Sequence, residues 1–155
     1  SQAVVEIFDA LLDVAVITLG TACVYGFKLD SNEATEGLLE ALAENEGVFT
    51  SLQAQYLNLE ENLNTLWSYP NTKSYLASAV LRDLQNLLDT CIGMTDLIGL
   101  PFEAGFVEVM KSNMSKLGED GKPIYREDGK ILKGPNYFKP NLQGILDAHF
   151  STESA

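Results

Sequence analysis

Three carboxylates stand alone in an apolar segment near the start of the chain. Glu6, Asp9 and Asp13 are three and then four residues apart, and every other residue from Val4 to Ala15 is apolar. At 100° per residue the three acids fall within a helical stripe about 60° wide. An ordinary surface helix carries a wider polar face with lysines and glutamines mixed in, and no lysine or arginine lies one turn away here. Partly buried carboxylates without partners are costly, so something must compensate them. A hard divalent cation such as Mg²⁺ does this well, because it prefers oxygen ligands and keeps water positions open for substrate phosphates. Two other readings fit the same spacing: a narrow wet face on a packed helix, or acids paired with distant arginines. Lys and Arg together number only ten, and most lie in the C-terminal part.

Those acids need a helix to align them. VVEIFDALLDVAVITLGTACVYG has no proline, is apolar on nearly every side and closes at Gly26, which predicts a deeply buried helix over about 4–26. A second helix is expected over 30–45, with Asp30-Ser-Asn as its cap and Glu33, Glu36, Glu40 and Glu44 along a solvated face. A third spans 48–67 and stops at Ser68-Tyr-Pro-Asn-Thr. A fourth runs from about Lys73 to Ile98, stopped by Gly99-Leu-Pro, and a fifth from Phe102 to Lys116. Beyond Leu117 the chain is rich in Gly, Pro and Asp, and from Lys116 onward it holds six of the ten basic residues. Ile124-Tyr-Arg and Ile131-Leu-Lys flank an Asp128-Gly129 turn pair, a β-hairpin signal. Ser151 to Ala155 read as a frayed tail. The fold class is therefore mainly α: a helical bundle of four or five helices with a small C-terminal β-hairpin, in one domain over 1–150.

The segment LLDVAVITLGTACVYGF from Leu11 has a weak echo in LLDTCIGMTDLIGLPF from Leu87. Either a helical hairpin was duplicated or two buried helices share a composition. In the echo Asp89 aligns with Asp13, but Arg82 and Gln85 stand where Glu6 and Asp9 would be.

Composition bounds the function. The 155 residues are 46% hydrophobic and 21% charged, which suits a globular core. A net charge of −12 disfavours nucleic acid and anionic membrane surfaces as partners. Cys23 and Cys91 both sit in apolar stretches and read as two buried free thiols in a reducing compartment. With no CxxC pair and His149 as the sole histidine, a structural zinc site is excluded. The uncharged run Val14 to Phe27 follows acids rather than a basic leader, and is too short to span a bilayer, so the expected location is cytoplasmic. Walker A, GxSxG and HExxH motifs are absent.

The N-terminal VVEIFDALLDVAVITLGTACVYGF resembles the ExxD helix of the MazG-like, all-α NTP pyrophosphatases (phosphoribosyl-ATP pyrophosphohydrolase-like). FVEVMKSNMSKLGEDGKPIYREDGKILKGPNYFKPNL resembles their C-terminal segment, through Ser112-Asn-Met-Ser-Lys116, the Asp-Gly-Lys repeats and Lys133-Gly-Pro-Asn-Tyr-Phe138. The resemblance implies hydrolysis of a nucleoside triphosphate between its α- and β-phosphates. It implies Mg²⁺, with Mn²⁺ able to substitute, held by acids from an ExxE and an ExxD helix. It also implies assembly as a homodimer or dimer of dimers. Carried over residue by residue, Glu6 and Asp9 are the ExxD acids that bind metal and act in catalysis, with Asp13 one turn further along. Asn113, Lys116, Lys133 and Tyr137 are expected to contact substrate.

The match has a gap. The family's ExxE helix precedes its ExxD helix, whereas here the chain begins five residues before Glu6, and the stretch Lys28–Ile98 separates the two matching parts. That stretch reads as a helical insert or degenerate repeat. Glu60 and Glu61, followed by Asn64 in place of the last acid, resemble a degraded ExxE, and Glu33 with Glu36 forms an ExxE as written. The alternative to an enzyme is a non-catalytic or truncated MazG-like helical dimerisation or nucleotide-sensing module.

Overall fold

A computed structural model of the chain describes residues 1–30, 48–69 and 73–153. Its helices are α1 (Gln2–Tyr25), α2 (Val48–Ser68), α3 (Lys73–Leu97), α4 (Phe102–Met114) and α5 (Leu142–Glu153). The mainly α class expected from periodicity holds. The helix expected over 30–45, with Glu33 and Glu36, lies outside the described residues. Contacts cluster into two compact units, one of Ser1–Leu12 with Pro101–Ala155 and one of Asp13–Leu100.

The first unit forms around a close approach of α1 to α4. Phe8 and Leu12, one turn apart, are fully buried. A Cβ on Gly105 of α4 would lie 2.2 Å from Phe8 Cζ and 2.8 Å from Leu12 Cδ1. Only a residue without a side chain allows both apolar groups to sit on the α4 backbone. Val109, Leu142 and Leu146 are buried in the same unit. α5 was not anticipated from the sequence. Asn141 starts it: its Oδ1 accepts from Gly144 N at 3.1 Å, and its own N–H donates to Glu108 Oε1 on α4 at 2.9 Å.

The second unit packs α2 against α3 and the latter part of α1, with Ala22, Leu59, Val80, Leu84 and Leu87 as its core. One carboxylate is buried there. Asp83 of α3 is 5% exposed and accepts from Asn62 Nδ2 at 2.6 Å and Asn58 Nδ2 at 3.3 Å, both on α2. Gln55 and Thr90 pair across the same two helices. Gln85 clamps the backbone of Asp30, donating to its carbonyl at 2.8 Å and accepting from its N–H at 3.0 Å.

The predicted stops act as glycine caps. Gly26 has φ 70° and Gly99 φ 67°, and in each case the next N–H reaches back five residues, Phe27 to Ala22 O and Leu100 to Thr95 O.

Three expectations need correction. The first is the hairpin. Among the described residues there is no strand pair, only isolated bridges at Leu117–Pro123 and Tyr125–Ile131. The two Glu-Asp-Gly-Lys runs fold as the same tight turn twice: Gly121 and Gly129 take φ 73° and 83°, and Asp120 and Asp128 each accept the N–H of the lysine two residues on. Pro123 has no N–H for a ladder, and Tyr125 and Ile131 are exposed, so nothing extends a single bridge into strands.

The second correction concerns the burial of α1. Its most apolar 18-residue window has a mean hydropathy of 1.9 and is long and apolar enough to cross a membrane by length and composition, yet only 33% of that window is buried. Most of the uncharged run Val14–Phe27, read as too short to span, is thus part of a longer helix, Gln2–Tyr25. Phe8, Leu11, Leu12, Ala15, Thr18 and Ala22 are buried at spacings of three and four, as in a packed helix, while Ile17 is 69% and Val24 84% exposed. An all-round apolar helix needs more neighbours than the described residues supply.

The third correction concerns the thiols, of which Cys91 is buried but Cys23 is exposed. Burial pushes the Cys91 thiol up to about 12. Its raised value favours the folded state fully below the ordinary thiol range, about 8.5, and that contribution is lost as pH climbs from there toward 12.

Two outcomes follow. A thiol-alkylating reagent at pH 8 labels Cys23 alone in the native protein and both cysteines in denaturant, which mass spectrometry of the peptides reads directly. Gly105→Ala lowers stability by about 1–3 kcal/mol in urea titration, since the new methyl meets a ring that has no room to move.

Candidate active site

The acids of α1 occupy a stripe centred about 110° around the helix from Phe8 and Leu12. Packing of those two on Gly105 therefore turns the carboxylates away from the α4 contact. Glu6 is exposed and accepts from Gln2 Nε2 at 3.1 Å, Asp9 is half-buried and Asp13 is exposed. The cost of burial, which suggested that a cation must compensate them, is smaller than the sequence implied. Their chemistry still suits a hard cation, since all three offer oxygen donors only and share one helix face. Among the described residues no three His, Cys, Asp or Glu side chains gather closely enough to hold a metal by themselves.

Glu6 and Asp9 lie in the same compact unit as the C-terminal segment, while Glu60 and Glu61 lie in the other with Asp13. Glu60 and Glu61 are exposed on α2 and border a hollow of about 370 Å³ with Asn64, Thr65, Ser68 and Tyr69. The degraded ExxE thus presents its acids and its asparagine to one surface depression.

The C-terminal candidates are held by a compact set of contacts at the end of α4. Ser112, 2% exposed, donates from Oγ to Phe138 O at 2.8 Å. Ser115 Oγ accepts from Phe138 N at 3.1 Å and donates to Ser112 O at 2.7 Å. Two serines thereby satisfy both backbone groups of one tail residue. Gly134 is buried against the chain it returns to, and a Cβ there would stand 2.3 Å from Leu117 O and 2.7 Å from Lys116 O. The neighbouring atoms are backbone, so no side chain fits. This explains why Ser-Asn-Met-Ser-Lys and Lys-Gly-Pro-Asn-Tyr-Phe occur together: one is the seat and the other the strap.

The four candidate substrate residues sit on this seat and strap. Lys116 Nζ donates to Asn113 Oδ1 at 2.6 Å, and both are half-buried. Lys133 Nζ lies 4.5 Å from the centroid of the Tyr137 ring, a cation–π contact. Each lysine is thus oriented by a neutral partner. Arg126, the other cation considered for this region, is paired with Asp128 across its turn. Their hydrogen bond raises the guanidinium above its ordinary value and holds the carboxyl below the usual range, although both are exposed.

The sequence reading missed Asp83 with Asn58 and Asn62. Two asparagines one turn apart, beside Leu59, Leu63 and Leu66, were the available signal for a buried polar partner.

No family profile matches the chain, and no curated protein does. A solved structure from Exiguobacterium sp. 255-15, described as a candidate NTP pyrophosphohydrolase, is similar at 22% identity with a TM-score of 0.50. The likeness covers 91% of this chain and 98% of that one, and at this identity what the two share is the all-α fold.

Proposed function

We propose that the chain is a Mg²⁺-dependent nucleoside triphosphate pyrophosphohydrolase, releasing a (deoxy)nucleoside monophosphate and pyrophosphate in the cytoplasm as part of nucleotide-pool sanitation. One observation carries this reading. The two segments that resemble the MazG-like enzymes are separated by the Lys28–Ile98 stretch, yet the ExxD acids Glu6 and Asp9 fall in one compact unit with the whole seat and strap. Fold likeness to the Exiguobacterium protein supports the same class.

Glu6 and Asp9 would hold the metal, with Asp13 one turn further along the same helix as a further acid. When bound, Mg²⁺ supplies charge neutralisation of the triphosphate and makes an attacking water more acidic. The remaining work belongs to the chain. A carboxylate oxygen of the stripe that is not bound to metal takes the proton of the attacking water. Lys116 and Lys133 stabilise charge on the departing pyrophosphate, and Asn113 and Tyr137 fix where those ammonium groups point. Arg126 is left out of this scheme because Asp128 occupies it.

We take the protein to be a homodimer or dimer of dimers. The support is Val24, 84% exposed on a helix that carries no charged residue after Asp13. A Val24→Glu variant should lower the mass seen by light scattering while retaining helix content. An unchanged mass would remove this face from the assembly.

The second reading, a non-catalytic helical module, is favoured by the lack of three converging metal-ligating side chains among the described residues. A product assay decides. Canonical and modified dNTPs are incubated with Mg²⁺, and pyrophosphate is separated from orthophosphate. Pyrophosphate is expected, falling at least a hundredfold in Glu6→Gln/Asp9→Asn at unchanged melting temperature. Absence of pyrophosphate from a folded protein that also fails to bind Mg²⁺ would sink the enzyme reading.

A further inference from the structure

A cavity of about 460 Å³ opens in the Asp13–Leu100 unit. Its walls include Val14 and Ile17 of α1, Leu59 and Leu63 of α2, and Leu87 of α3, with the half-exposed ring of Tyr56 alongside. Thr18 and Thr21 also border it, but their hydroxyls donate back to Val14 O at 2.7 Å and Ile17 O at 2.9 Å. Those donors are used within the helix. The cavity and the acidic hollow beside Glu61 share two residues, Glu60 and Asn64.

We propose that this cavity receives the base of a nucleotide whose phosphates lie toward Glu60 and Glu61, an assignment that rests on the pyrophosphohydrolase reading. The geometry asks for a ligand in two parts. One part is compact with apolar faces, to fill walls of Val, Ile and Leu beside an aromatic ring. The other accompanies a cation, because no basic residue among the described ones pairs with Glu60 or Glu61. A nucleotide carrying a divalent metal has this construction, whereas a bare phosphate would be repelled. Asn64 offers both donor and acceptor, and the Glu60 carboxylate accepts, so the shared wall can also read the polar edge of a base. Asp13 precedes Ile17 by one turn, so the acid stripe of α1 ends beside the cavity wall.

The test titrates the protein with adenosine, guanosine, cytidine and thymidine, without metal, while methyl NMR signals are followed. Nucleosides carry the base and lack the phosphates, so this binding does not depend on the metal site. Expected are saturable shifts at Ile17, Leu59, Leu63 and Leu87, with Val109 and Leu146 still. Affinity should fall at least tenfold both in Ile17→Trp, which fills the cavity from an exposed position, and in Tyr56→Ala. No shift at these methyls, equal affinity in both variants, or shifts with phenethylamine and with no nucleoside would overturn the assignment. Pyrophosphate release that persists without nucleoside binding would overturn the cavity alone. Nucleoside binding without pyrophosphate release would support the cavity and overturn the hydrolase.

Discussion

The close packing of Phe8 and Leu12 on Gly105 is the constraint on which the functional arrangement depends. It joins the beginning of the chain to a segment about a hundred residues later and fixes the rotation of α1. Burying two such side chains is worth about 1.5–3 kcal/mol each, far more than the exposed polar contacts around them. Because a helix is rigid about its axis, the same packing decides where Glu6 and Asp9 face. Carboxylates on a solvent-facing stripe remain accessible, which acids sealed in the core would not.

The C-terminal strap is held by a different balance. Tyr125, Ile131 and Phe138 are substantially exposed, so apolar burial alone cannot hold that segment. Backbone-directed contacts do instead: two serine hydroxyls on Phe138, two Asp-Gly turns, and Gly134 lying flat on the Lys116–Leu117 carbonyls. Each neutral contact is worth about 1 kcal/mol, but each is directional, so together they specify position more than they add stability. Such a segment keeps Lys116 and Lys133 in register without an apolar core beneath it.

The α2–α3 pair solves the opposite problem, a carboxylate inside a core. Asp83 is satisfied by two amide groups and not by a counter-charge, which leaves a buried polar link whose partners must stay matched in register. Gln55 with Thr90 repeats the device further along. A helical pair pinned in this way can carry a cavity on its outer side, because polar matching and not complete apolar filling sets how its helices align.

The sequence by itself determined the α class, four of the five described helices to within about two residues, and the two glycine stops, because apolar periodicity and positive-φ glycine are local properties. It also marked Glu6, Asp9 and Asp13 as a single stripe, since their spacing alone fixes their common face. α5 escaped because its start depends on Asn141 meeting Glu108 of another helix. The hairpin dissolved into two turns because a ladder needs neighbours that the local pattern cannot supply. Exposure was decided only by tertiary structure. Whether an apolar residue such as Ile17 or Val24 is covered, whether Cys23 is hidden, and whether Asp83 is inside depend on what packs against them. Helical spacing states which residues share a side, and only packing decides which side faces in.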